Sequence, residues 1–165
     1  MGNLKSYHYA LIYINVAIVI YMFIFLGIKY GGLPDEVPSH YNFEGEVDSY
    51  AGKGVLFVLP IVSTFITILF TAFCFMPDRF WKINIGLQRI EMPPEIRSSV
   101  IHLTVTFLNL LSTVINAFLA YTLNCMVYSW RMSVALIILF VAGIFLSSIS
   151  YIVILFIKIN PLLSQ

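Results

Sequence analysis

Four stretches of about twenty residues or more, each free of Asp, Glu, Lys and Arg, constrain what this chain can fold into. They run over about 9–28, 55–75, 102–123 and 134–157. Each is long enough to cross a hydrocarbon core of about 30 Å as a helix. The runs are continuous rather than alternating, and only helices or closed barrels satisfy the backbone in lipid, so helices are expected. Composition agrees: 60% of residues are hydrophobic and 10% charged, against roughly 25% charged in a soluble domain.

The edges of the runs are equally informative. Lys5 and Lys29 flank the first, which is too long for the core of a cleaved signal peptide and lacks a small-x-small site. Met76-Pro77-Asp78 ends the second, and Lys158 with Pro161 is expected to close the fourth. Pro94 suits the start of a helix running into the third span. The sequence predicts an all-α membrane protein, a four-transmembrane-helix bundle forming one domain over residues 1–165.

Basic residues near the helix ends set the expected orientation. Lys5, Arg79, Lys82, Arg89, Arg97 and Lys158 lie at one end, and Lys29, Lys53 and Arg131 at the other. The excess favours N-in/C-in. Residues 30–54 are then an ordered extracytoplasmic loop, 77–101 a cytoplasmic loop and 124–133 a short outer turn. Tyr128 and Trp130 suit an outer aromatic belt, with Phe80 and Trp81 on the inner side. Cys125 is expected to be accessible from outside, and Cys74 to lie near the inner face. The two cysteines have no metal-like spacing, and a net charge of +1 without a basic block excludes nucleic acid as an expected partner.

The outer loop is more detailed than a tether needs. It contains Leu33, Pro34, Pro38, His40, Tyr41, Asn42, Gly45, Asp48 and Lys53 in order between two spans. This pattern resembles the segment shared by the SdpI-like immunity membrane proteins of bacteria, and the resemblance covers the first two helices and the loop between them. It implies a non-enzymatic protein of the bacterial cytoplasmic membrane connected with resistance to a secreted peptide toxin. In some members it implies a cytoplasmic regulator as a further partner. Such proteins usually have six predicted helices, whereas this chain has four.

On chemistry alone, His40 and Asp48 are candidates to pair, either fixing the turn around Gly45, contacting a ligand or toxin, or serving in catalysis or metal binding with the imidazole as base or metal ligand. A membrane hydrolase using His40 and Asp48 is one alternative function, although no nucleophile motif surrounds Ser39. A second constellation is intramembrane. His102, Thr106, Asn109, Thr113, Asn116 and Asn124 fall within about 40° of one line at ~100° per residue, with a weaker stripe at Thr64, Thr67 and Thr71 and a single Asn15. Polar groups should face the bundle rather than lipid, so this stripe marks an inward face: interhelical hydrogen bonds, or the polar pocket of a small transporter or accessory subunit. Gly143 and Ser147 have the spacing of a close helix approach, within the bundle or in a homo-oligomer. No cofactor, metal or catalytic residue is indicated, and the lipid bilayer is the surest partner.

Overall fold

The computed structural model describes residues 4–77, 80–81 and 92–163. It contains α1 (Ser6–Lys29), β1 (Glu36–Tyr41), β2 (Val47–Gly52), α2 (Val58–Cys74), α3 (Pro94–Tyr128) and α4 (Val134–Leu163). Four helical segments are long and apolar enough to cross a membrane, which makes this an all-helical, multi-pass membrane bundle with a small hairpin at one end.

The helices exceed their apolar runs. α3 has 35 residues: it starts at Pro94, where the sequence places a helix start leading into the third span, so the connection expected over 77–101 ends before it, and it runs past the expected end at 123. Pro94 occupies its first turn, where its missing N–H costs nothing. Polar residues then carry the helix to His102, a stretch that hydropathy alone discounts. At the other end Asn124 stays helical, donating from Nδ2 to Ala120 O at 2.8 Å. The expected outer turn over 124–133 therefore begins only at Ser129, whose φ of 52° is left-handed and stops the helix. α4 likewise continues through Lys158 and Pro161 to Leu163 instead of closing near 157. Short 3-10 segments, Tyr30–Gly32 and Lys53–Phe57, join the hairpin to α1 and α2.

Helices α1, α2 and α3 pack on one another, and α4 packs on α3. At the hairpin end the core is apolar: Met22 and Leu26 from α1, Leu56, and Leu123 and Met126 from α3 surround Val37 of β1. Burying that valine beneath the strand fixes the hairpin to the bundle by the hydrophobic effect. Along the outside of α3, Tyr151 stacks on Phe107 with ring centroids 4.5 Å apart and its hydroxyl lies 3.0 Å from Thr104 Oγ1. Lys158 Nζ donates to Ser99 Oγ at 2.5 Å. The expected close approach at Gly143 is not made among the described residues, because a Cβ there would meet nothing within 4 Å. The Ser147 hydroxyl turns back onto Ile144 O instead.

The basic residues separate into two groups by helix end. Lys29, Lys53 and Arg131 lie at the hairpin end, while Lys5, Arg97 and Lys158 lie at the end where both termini emerge. Arg79, Lys82 and Arg89, half of the six basic residues expected on the cytoplasmic side, fall outside the described residues, as do Asp78 and Glu91, so the described basic residues number three at each end.

Candidate functional site: a docked hairpin above a buried amide layer

The expected loop is a β-hairpin. β1 and β2 pair antiparallel, from Glu36 opposite Gly52 to Tyr41 opposite Val47, with irregularities on either side of His40. Its turn is built by Asn42, whose Oδ1 accepts the Glu44 and Glu46 N–H groups at 2.9 and 3.0 Å. Asn42 O also accepts the Gly45 N–H at 2.9 Å. Such an Asx side chain substitutes for backbone partners in a tight turn. Gly45 has φ 78°, and a Cβ added to it would sit 2.0 Å from Met132 O. Both conformation and space therefore require glycine.

The turn does not project freely. Gly45 O accepts the Met132 N–H at 2.8 Å, and Arg131 donates from Nε and Nη2 to Glu44 O at 3.1 and 3.0 Å. Arg131 Nη1 also lies 3.4 Å from Glu46 Oε1. The hairpin tip is thus held against the α3–α4 connection. At its base, Lys53 N–H bonds Asp35 O at 2.9 Å while Nζ reaches Leu33 O and Asp35 Oδ1, each at 3.4 Å. Pro38 is buried with Val37, whereas Pro34 is exposed where the chain enters β1.

His40 Nδ1 and Asp48 Oδ1 are 2.6 Å apart across the hairpin, with the side chains 68% and 43% exposed. The pair forms, but the Gly45 turn is fixed by Asn42 and Arg131 rather than by it. Ser39 Oγ lies 3.5 Å from Ser49 Oγ. Tyr41 turns inward: its buried hydroxyl has no hydrogen-bond partner among the described residues. Burial pushes that phenol well above its ordinary range, so it stays protonated.

Beneath the hairpin's apolar anchor, the spans form a polar layer. Asn116 Nδ2 donates to Asn15 Oδ1 at 2.9 Å and Thr67 Oγ1 at 2.8 Å, with Ser112 Oγ at 3.3 Å, and its Oδ1 accepts from Ser63 Oγ at 2.8 Å. One amide thereby ties α3 to α1 and α2. Asn15 Nδ2 donates to Leu11 O, Asn109 O and Thr113 Oγ1 at 2.9, 3.3 and 3.1 Å. Asn109 Nδ2 donates to Val105 O and Cys74 Sγ at 2.9 and 3.0 Å. Asn15, Asn109 and Asn116 are all buried. Their hydrogen bonds stay inside the protein, as a hydrocarbon surround demands.

Nearer the termini, Lys5 N–H donates to His8 Nδ1 at 3.0 Å. The His8 proton therefore belongs on Nε2, which is 3.0 Å from Thr106 Oγ1; that hydroxyl donates to His102 O at 2.7 Å. The rings of His8 and His102 stack with centroids 5.5 Å apart. A cavity of about 210 Å³ opens beside His102, with Cys74, Trp81, Arg97 and Ser98 in its lining. Cys125, expected to be accessible, is buried because α3 stays helical through it.

Four contributors escaped the sequence reading. His8 stands seven residues before Asn15, two helical turns along the same face, and Ser63 and Ser112 each stand four residues before a recognised polar residue. That spacing was the available signal. The fourth, Arg131, carries no local signal, since its role depends on where the hairpin lands. Among the described residues, no group of three or more His, Cys, Asp or Glu side chains is arranged to hold a metal.

A family model described as a domain of unknown function, DUF1648, matches residues 17–64. The match begins within α1, takes in the whole hairpin and ends in the first turns of α2. No curated protein and no solved structure matches the chain.

Proposed function

We propose that this protein is a non-enzymatic recognition protein of the bacterial cytoplasmic membrane, oriented N-in/C-in, whose hairpin meets or resists an extracellular peptide. The observation that supports this best is the construction of the hairpin. It is anchored by Val37 and Pro38, clamped at its tip by Arg131, and leaves His40, Asp48 and Tyr50 exposed. A preorganised element of this kind loses little freedom on binding. The orientation is supported by the sequence, in which six basic residues (Lys5, Arg79, Lys82, Arg89, Arg97 and Lys158) stand on the inner side against three (Lys29, Lys53 and Arg131) on the outer.

The hydrolase alternative draws less support, because Ser39 Oγ lies against Ser49 Oγ and, among the described residues, His40 is bonded to Asp48 rather than to a nucleophile. The transporter or accessory-subunit alternative would use the cavity beside His102, yet the amide layer above it is closed by its own hydrogen bonds. The decisive experiment is expression in a peptide-sensitive bacterial host. Survival of cells carrying the chain when challenged with secreted peptides supports the proposal, and protection should fall in a His40→Ala or Asp48→Ala variant that reaches the membrane at normal yield. Equal killing with and without the chain, across the peptides tested, would overturn it.

A further inference from the structure

A two-stranded sheet has two edges, and here they differ. Lys53 N–H bonds Asp35 O at the base of the ladder, so by antiparallel alternation Ala51 and Val37 face one another with their bonding groups inward. Pro38 and Tyr50, the next pair along, then turn their backbone groups outward. On β1 that position has no N–H to offer, and the strand also packs against α3. Proline and coverage are two ordinary ways of closing a strand edge.

β2 has neither protection. Tyr50 directs N–H and C=O outward and Gly52 its N–H, while the Gly52 C=O is taken up as the N-cap of the 3-10 segment Lys53–Phe57. Outside strand and helix pairing, no backbone–backbone bond among the described residues involves Val47–Gly52. Both residues are exposed, with Tyr50 at 59%. The surroundings are acidic: Asp35, Glu36, Glu44, Glu46 and Asp48 lie in or beside the hairpin, against Lys53 and Arg131, with Lys29 at the end of α1 directed over the Tyr128 ring. Lys53 and Arg131 are already engaged, by Asp35 and Glu46. Glu36 and Glu44 have no cationic partner among the described residues.

We infer that the open edge of β2 takes up an extended, cationic peptide segment as a third strand. Main-chain hydrogen bonds to Tyr50 and Gly52 supply the pairing, and the surrounding carboxylates select basic side chains. This rests on the peptide-recognition reading above and adds to it a pairing mode and a charge class.

The test uses the full chain in nanodiscs of zwitterionic phosphatidylcholine, which removes lipid charge as a competing attraction. The probes are an alternating Lys-Val octapeptide, its copy N-methylated on alternate residues, and an alternating Glu-Val octapeptide. The Lys-Val peptide should bind and slow hydrogen exchange at the Tyr50 and Gly52 amides at least tenfold. The N-methylated copy and the Glu-Val peptide should bind at least tenfold more weakly. Tyr50→Pro, which removes one outward N–H and no bond within the hairpin, should abolish the protection at Gly52. If Tyr50→Pro fails to fold, the N-methylated peptide asks the same question of the unaltered protein. Equal binding of the methylated and plain Lys-Val peptides would overturn strand pairing, as would failure of the Lys-Val peptide to bind. Protection of host cells without Lys-Val binding would sink this inference and leave the proposed function standing. Edge protection without any immunity in cells would do the reverse.

Discussion

The hairpin and the amide layer both concentrate polar residues, but they satisfy them in opposite ways. In the layer, Asn15, Asn109 and Asn116 are buried and bond one another, neighbouring hydroxyls and helix carbonyls. In the hairpin, His40 and Asp48 bond each other across a surface open to solvent, and the structural bonds are made by backbone and by Arg131. Polar residues buried between spans hold helices together; polar residues on the hairpin are left available once backbone geometry has fixed its shape. The difference predicts where substitution damages folding and where it alters recognition.

The largest expected effect is at Gly45. A valine there must hold φ near 78° and place Cβ against Met132 O, a combination that should cost about 3 kcal/mol, the top of the range for forced backbone conformations. Thermal unfolding of the purified protein and proteolysis of the hairpin would measure it. A Gly45→Val protein as stable and protease-resistant as the parent would mean that the tip is not docked. Next comes Asn116→Leu, which leaves Asn15 Oδ1 and the Ser63 and Thr67 hydroxyls without their shared partner. At about 0.6 kcal/mol per intramembrane bond the loss is about 2 kcal/mol. Asn109→Leu should cost less, since one of its bonds is to its own helix and another to a thiol. Unfolding in graded detergent mixtures would rank the two, and the reverse order would show that the layer is not centred on Asn116.

The layer was legible in the sequence and the hairpin was not, for a physical reason. A helix repeats its face every 3.6 residues, so Asn109, Thr113 and Asn116 announce a common side wherever the helix packs. That logic failed at the C-terminal ends of α3 and α4, where hydropathy falls before the hydrogen-bonded helix stops, and at Gly143, where small-residue spacing has no partner among the described residues; the start of α3 was signalled by Pro94. The hairpin strands are six residues each, interrupted around His40, with prolines and glycines that read equally well as irregular loop. Gly45 was recognisable as a turn residue. Its contact with Met132 was not, because the partner lies far along the chain and its position depends on the assembled bundle.

Tyr41→Phe separates the pattern of residues from their chemistry. Tyr41 belongs to the loop pattern, but its buried hydroxyl bonds nothing among the described residues. Removing an unpaired buried hydroxyl should leave stability unchanged or raise it by up to about 1 kcal/mol. A clear loss in calorimetry would instead reveal a polar contact that this hydroxyl makes.

The smallest effect on folding is expected at His40 and Asp48. A side-chain pair this exposed contributes at most about 1 kcal/mol, and neither side chain holds the turn, which Asn42, Gly45 and Arg131 define without them. His40→Ala and Asp48→Ala should therefore unfold close to the parent, and their hairpin amides should exchange at nearly parental rates. Glu46→Ala serves as the comparison, because Glu46 is also an exposed carboxylate on the hairpin but faces Arg131. If recognition is local to the His40–Asp48 pair, the first two variants lose protection of a challenged host while Glu46→Ala retains it. If all three lose protection by the same factor, the hairpin acts through its summed negative charge, and raising the salt concentration should weaken peptide binding to the parent protein in parallel. Either result would be interpretable because folding is nearly unaffected. A large destabilisation by His40→Ala would show instead that this pair belongs with the structural bonds of the amide layer.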